Sequence, residues 1–283
     1  MPPTLQLLRT LTLCLFTASL FSSCSNKDKD SGGGNPVNNS YLASVRAIGP
    51  DGVIIDSFVY DDKKRVATYG QYVTQGSAAA HVTYNFNFPS NSNMPDSYTY
   101  SYNDGASDVH TLTFDGQGRI TKDTSLSGSN YVSYFVYSGN MVICHIFFGG
   151  DLSSDAFSDT LVYTDGNMTN QKVWAWDPGG NGEWEDQANL IYGHSTAANP
   201  GYKAEIANTV GPLLYEISIY NFGGWGDFIS KGVINKVTGR ADGLPPGGVT
   251  YTIQADATGR VSETIPNFGG PGAAGTKTVF TYY

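Results

Sequence analysis

Three short segments of the sequence share one pattern of turn-forming residues, and this repeated pattern limits the chain to a small set of folds. The segments are residues 60–66 (YDDKKRV), 114–120 (FDGQGRI) and 255–261 (ADATGRV). Each one places an Asp and an Arg four residues apart between two stretches of strand-forming residues. Asp can hydrogen-bond the backbone two residues further on, and Gly adopts a positive φ without steric cost. Each segment therefore predicts a tight turn between two antiparallel strands.

The spacing of the turns indicates a repeat whose unit is one hairpin. Arg65 and Arg119 are 54 residues apart, and the related turn residues Asn140 and Asn167 are 27 residues apart, which is half of that spacing. A unit of this size suits two strands of ~8–10 residues and two connections. Over residues 41–283 the sequence therefore predicts a meander of roughly eight or nine hairpins.

Two segments show the alternation that is typical of half-buried strands. Residues 83–88 (TYNFNF) and 97–102 (SYTYSY) each put three aromatic side chains on one face and small polar side chains on the other. A long antiparallel meander leaves two exposed edges, which are removed when the sheet curls until its first and last strands meet. The predicted fold class is all-β: an antiparallel meander of repeated hairpins, strongly curved or closed into a large barrel-like sheet.

The first 24 residues have the features of a secretion signal. Residues 10–21 form an apolar run, shorter than the ~20 residues of a membrane-spanning helix, and small residues and Cys24 follow it. A cysteine at that junction resembles the lipobox of bacterial lipoproteins, in which the thiol is acylated. We predict a signal peptide over residues 1–24 with lipidation at Cys24, a flexible tether over 25–40 and a single repeat-built β domain over 41–283. An ordinary secretion signal with an incidental cysteine is the alternative.

The repeated turns resemble the YD-type repeats of a family of Bacteroidota lipoproteins that has a domain of unknown function and a porin-like fold. Residues 27–30 (KDKD), just after the cysteine, resemble the surface-export signal of such lipoproteins, although a solvated linker has the same composition. The resemblance implies a lipid-anchored protein of the outer membrane or cell surface. It implies no activity, because one fold serves many functions.

The net charge and the cysteines limit the classes of partner that the protein can bind. The net charge is −9, and the first 24 residues contribute only Arg9 to it. Because nucleic-acid binding depends on basic surfaces, nucleic acid is excluded as a partner. The predicted partners are the membrane, through the anchor at Cys24, and a glycan or a surface protein.

Cys144 lies in an apolar strand pattern, which predicts a small buried hydrophobic side chain.

The tryptophans are the candidate ligand-binding residues: Trp174, Trp176, Trp184 and Trp225. Trp174 and Trp176 are two residues apart and therefore share a strand face. Exposed indole rings can stack on the apolar faces of sugar rings, but burial statistics favour the alternative in which the tryptophans fill the interior of the sheet. We predict a non-enzymatic binding or structural protein of the envelope. A carbohydrate-binding component or a glycan-acting hydrolase is the alternative.

The loop after Trp176 contains many oxygen-bearing side chains. Asp177, Asn181 and Glu185 are candidate calcium ligands. Gly179 occupies a position where a calcium-binding loop needs an oxygen ligand, so a plain hairpin turn is the competing interpretation. No cofactor is predicted, and calcium is the alternative.

The same loop contains the only acidic pair that is flanked by tryptophan, Glu183 and Glu185. Glycoside hydrolysis uses two carboxyl groups, and two residues of one strand face lie about 7 Å apart along the chain. The four histidines are distributed over separate repeats without the spacing of a metal site or a triad. No catalytic residues are therefore predicted, and glycan hydrolysis by Glu183 and Glu185 is the alternative.

Overall fold

The computed structural model describes the following residues, to which all structural statements refer: 41–49, 52–75, 78–102, 105–126, 131–149, 156–176, 183–199, 211–213, 230–241, 244–267 and 276–283. The predicted signal peptide and tether lie outside these residues, as do Cys24, Asp177, Asn181 and Trp225. Within the described part of the chain, no helix is both long enough and apolar enough to cross a membrane.

Sixteen antiparallel strands in the described residues form one closed barrel. Each strand pairs with its neighbours in sequence, and β1 pairs with β16 to close the sheet. The strands are β1 Leu42–Gly49, β2 Gly52–Tyr60, β3 Val66–Gln75, β4 Ala78–Asn87, β5 Ser97–Tyr102, β6 Ser107–Phe114, β7 Ile120–Ser125, β8 Val132–Ser138, β9 Met141–Phe147, β10 Ala156–Thr164, β11 Asn167–Trp176, β12 Trp184–Ala198, β13 Gly232–Arg240, β14 Val249–Ala255, β15 Val261–Asn267 and β16 Lys277–Tyr282. The all-β meander predicted from the repeat is confirmed, and its sheet is closed.

The repeated segments form turns in which the Asp holds the Arg. In the turn between β6 and β7, Asp115 Oδ1 accepts a hydrogen bond from the backbone N–H of Arg119 (3.0 Å), and Oδ2 accepts one from Arg119 Nε (2.8 Å). The turns at Asp61 and Asp256 repeat both bonds. Each guanidinium group then stacks on an aromatic ring of another strand or loop, 4.0–4.6 Å from the ring centre. The repeat therefore joins hairpins to their neighbours.

The residue before the Arg has a left-handed backbone conformation in all three turns. Gly118 and Gly259 have φ values of 77° and 80°, and Lys64 takes the same position with a φ of 64°. A side chain at this position is unfavourable because its Cβ approaches the following carbonyl oxygen. The first copy of the repeat thus carries a local conformational cost that the other two copies avoid.

The two ends of the barrel differ in their connections. The three Asp–Arg turns lie at one end, which we call the turn end. Tyr41 and Tyr283 also lie there, where the Tyr283 N–H donates to the Tyr41 carbonyl oxygen (2.9 Å). The opposite end, which we call the loop end, contains the connections after β7, β9 and β11. The chain therefore begins and finishes the barrel at the turn end.

The two faces of the barrel wall differ in burial. The inner face carries the buried core, including Ile54, Phe58, Tyr84, Leu161 and Leu190. Tyr84 and Phe86 of the predicted alternation are buried, as expected. Much of the outer face carries small polar side chains, for example Thr68, Thr83, Asn85, Thr99, Thr111, Thr113, Thr250 and Thr252. Cys144 is buried on the inner face, which confirms its predicted burial.

Candidate functional site

The three described tryptophans lie together on the outer face of the barrel, next to the loop end. Trp176 of β11 is in register with Trp184 of β12, and their ring centres are 5.7 Å apart. Trp174 lies two residues before Trp176 and therefore on the same face. All three are half-buried, and none belongs to the buried core. The alternative in which they fill the barrel interior is therefore wrong for these three residues.

Beneath these rings lie two small residues of β10. Ala156 is in register with Trp176 and Phe147, and Ser158 is in register with Trp174 and His145. Both small residues face outward, yet Ala156 is only 1% exposed and Ser158 8%. Large side chains from the neighbouring strands must therefore cover them, so β10 lies beneath the outward aromatic rings.

Further outward aromatic rings beside β10 come from β8 and β9. The ring of Phe147 lies 6.0 Å from Tyr134 and 6.5 Å from His145, and His145 lies 6.4 Å from Trp184. We call the set Tyr134, His145, Phe147, Trp174, Trp176 and Trp184 the aromatic groove. The three members from β8 and β9 escaped the sequence predictions. The signal for His145 and Phe147 was the alternation along residues 141–147, and the signal for Tyr134 was the alternation of Ser133, Tyr134 and Phe135 in β8.

His145 adds a neutral ring to the groove. Partial burial lowers the pKa of His145 below its ordinary value of 6.5, because desolvation disfavours the charged imidazolium. At neutral pH the groove therefore presents an imidazole ring that can stack and exchange hydrogen bonds without carrying a charge.

Charged side chains border the aromatic groove on the same face. Lys122 Nζ lies 5.3 Å from the ring centre of Tyr134, and the exposed Lys172 lies two residues before Trp174. Asp186, in register with Trp174, forms an ion pair with Arg240 (2.5 Å). The groove thus has two lysines at its border, and the carboxylate beside Trp174 is neutralised by an arginine.

The proposed acidic pair is not part of this groove. Glu185 is in register with Ala175, whose side chain is buried on the inner face, and Glu183 and Glu185 are both exposed at the loop end. Because side chains alternate along a strand, Glu185 points to the face opposite to Trp184. The side chain of Glu185 is therefore separated from the aromatic groove by the barrel wall.

The calcium prediction depends on a loop that lies largely outside the described residues. Asp177 and Asn181 are among the residues that are not described, and Glu185 is an exposed residue at the loop end. In the part of the chain that is described, no three His, Cys, Asp or Glu side chains are grouped as a metal site would require.

The barrel interior contains a buried cluster that the sequence did not reveal. The Tyr98 hydroxyl donates a hydrogen bond to Asp123 Oδ2 (2.7 Å), and His110 Nδ1 lies 2.9 Å from Asp123 Oδ1 and 2.8 Å from the Tyr98 oxygen. Burial, together with the carboxylate of Asp123, raises the pKa of Tyr98 well above its usual value. Asp123 is inaccessible to solvent, so this Tyr–His–Asp set serves packing rather than chemistry on a ligand.

Two further buried clusters repeat this arrangement with glutamine in place of histidine. Asp56 accepts hydrogen bonds from Tyr69 (2.5 Å) and Gln71 (2.9 Å). Asp159 accepts one from Gln171 (3.1 Å), which in turn accepts one from Tyr192 (2.7 Å). Asp56, His110 and Asp159 each stand four residues before the aromatic residue that opens a turn, at positions 60, 114 and 163. That constant offset is the sequence signal that could have located them.

Comparison with known proteins identifies the architecture. The sequence matches no protein-family model and no curated protein. The structure is similar to a crystal structure of a porin-like protein from Bacteroides uniformis, with 14% identity over 86% of this chain and 98% of that chain and a TM-score of 0.51. A porin-like protein from Bacteroides vulgatus matches over 87% of this chain and 99% of its own, with 10% identity and a TM-score of 0.45. The chain therefore has a porin-like fold.

Proposed function

We propose that the protein is a lipid-anchored, non-enzymatic component of a bacterial envelope that binds a saccharide through the aromatic groove. The observation that carries this proposal is the position of six aromatic rings on an outer wall that elsewhere bears many small polar side chains. Aromatic rings bury readily in a core, so a cluster of them on the outside is informative. Flat apolar ring faces beside hydroxyl and amide groups suit the faces and edges of sugars.

The polarity of the outer wall favours a barrel that is attached through a lipid anchor over a barrel that crosses the membrane. A transmembrane barrel carries an apolar band on the outside and polar residues inside. Here the core lies inside, and Thr, Asn and Ser side chains occupy many outer positions. Attachment through acyl chains on Cys24 would hold such a barrel at a membrane surface in water.

The position of the groove fits that attachment. The tether would join the barrel at Tyr41, which is at the turn end, whereas the groove lies beside the loop end. Sixteen flexible residues span roughly 20 Å on average. The groove would therefore be at the far end of the barrel from its anchor, directed to ligands in solution rather than to the lipids beneath.

Saccharide binding can be tested with the full mature chain. We expect Trp176→Ala to weaken binding to a glycan panel about tenfold, because loss of one stacking ring removes ~1.4 kcal/mol. Ile191→Ala is the matched control, since Ile191 is exposed on the outer face of β12 and lies outside the groove. The measurement is quenching of tryptophan fluorescence with ligand titration. Equal affinities for the two variants and the parent would reject the groove as the binding site.

A further inference from the structure

The aromatic groove is part of a longer row of outward side chains that runs across the strands. From β7 to β12 the row contains, in register, Lys122, Tyr134, His145, Ser158, Trp174 and Asp186. Adjacent strands lie ~4.8 Å apart, so the stretch between Tyr134 and Trp174 spans roughly 14 Å. A second row beside it contains Phe147, Ala156, Trp176 and Trp184. The groove is therefore elongated perpendicular to the strands and is long enough for several sugar rings.

The charges along this groove differ from the charge of the whole chain. The net charge is −9, yet Lys122 stands at the β7 end of the first row and Lys172 lies on the same face beside Trp174. Arg240 neutralises Asp186 at the other end. Glu185 points to the opposite face of the wall, whereas Glu183 is exposed at the loop end beside Trp184. Among the described residues, the first row and its border therefore present two lysines and one carboxylate that is already ion-paired.

We infer that the ligand is a saccharide chain with anionic groups, carboxylate or sulfate, that lies across β8–β12. This inference rests on the proposed function and specifies its ligand. The sugar faces stack on the tryptophan and tyrosine rings, while the anionic groups meet Lys122 and Lys172, whose ammonium groups act as flexible point charges. His145, which is neutral, contributes ring contact without adding to the charge.

The test compares oligogalacturonates of two to six residues with neutral gluco-oligosaccharides of the same lengths, using the full mature chain. We expect at least about tenfold tighter binding of the acidic series at low salt, an advantage that shrinks as salt rises, and affinity that grows up to about three residues. The double variant Lys122→Ala/Lys172→Ala should lose the acidic preference and keep the neutral affinity. Lys236→Ala is the matched control, because Lys236 is exposed on the outer face of β13, outside both rows.

The possible outcomes distinguish the inference of an anionic ligand from the proposed binding of saccharides. Equal affinity for acidic and neutral chains, unchanged by the lysine substitutions, would overturn the inference and leave saccharide binding intact. Absence of binding to either series would overturn both. Vesicles of anionic phosphatidylglycerol are tested in parallel with the same variants. Binding to these vesicles that depends on Lys122 and Trp176, without saccharide binding, would show that the groove contacts a lipid surface instead.

Discussion

At the scale of single residues, the Asp–Arg turn is the part of this molecule whose physical basis is clearest. Asp256 accepts hydrogen bonds from Thr258 and from the backbone and side chain of Arg260. Partial burial raises the pKa of Asp256, but these bonds outweigh that effect and lower the pKa to about 2. The carboxylate therefore remains charged over the whole physiological pH range, and the turn keeps its geometry there.

Lys64 offers a test of conformational cost at one position of this turn. We expect Lys64→Gly to raise the free energy of unfolding by about 0.5–1 kcal/mol, because glycine adopts the left-handed conformation without the Cβ contact that lysine makes. Gly259→Lys, at the same position of another copy, should lower it by about 1–2 kcal/mol. Urea denaturation measures both. A loss of stability in Lys64→Gly would mean that the contact of Lys64 with the Tyr41 ring outweighs the conformational cost.

At the scale of strands, the buried polar clusters join elements that the backbone ladder also joins. Tyr98, His110 and Asp123 come from β5, β6 and β7, so one cluster connects three consecutive strands through their side chains. Buried polar groups are costly unless they are paired, and these pairings are satisfied only when the strands have the native register. Each cluster therefore opposes a shift of one strand along the next.

Removal of the Tyr98 hydroxyl tests whether the cluster stabilises the native arrangement of the strands. Tyr98→Phe should lower the free energy of unfolding by about 1.5–3 kcal/mol, because Asp123 loses a charge-assisted hydrogen bond inside the barrel. Tyr134→Phe, on the exposed outer face, should change it by less than about 0.5 kcal/mol. Chemical denaturation of both variants gives the comparison. Equal effects would show that the Tyr98–Asp123 bond adds nothing to stability.

The strands were more predictable than the groove, for a physical reason. The alternation in residues 83–88 and 97–102 is local, and it correctly indicated β4 and β5 with Tyr84 and Phe86 inside. The groove depends on the registers of β8 to β12, which bring His145 close to Trp184 across two intervening strands. Registers between distant segments are fixed by turns and packing, so a sequence pattern alone could place Trp174 and Trp176 on one face but could not choose the face.

At the scale of the whole molecule, the barrel has an inward core and an outer wall on which many small polar side chains are interspersed with exposed apolar ones, which limits how it can meet a membrane. We expect Cys24→Ala to release the protein into the aqueous fraction after cell disruption, whereas the parent should sediment with membranes. The reason is that only the acyl anchor would supply membrane affinity. Lys27→Ala, which leaves Cys24 in place, is the control. Retention of Cys24→Ala in membranes after alkaline extraction would indicate that the barrel itself inserts.

Closure of the sheet between β1 and β16 can occur only after both ends of the chain are present. Val45 pairs with Phe280, so the contact that completes the sheet joins residues separated by most of the chain. Contacts of such long sequence separation form slowly, because the entropy of closing the loop must be lost before the contact stabilises anything. While the last strand is still being synthesised or exported, β1 presents an unpaired edge to any other chain nearby. Until the final strand has arrived, the nascent sheet therefore carries an open edge that can pair with another chain.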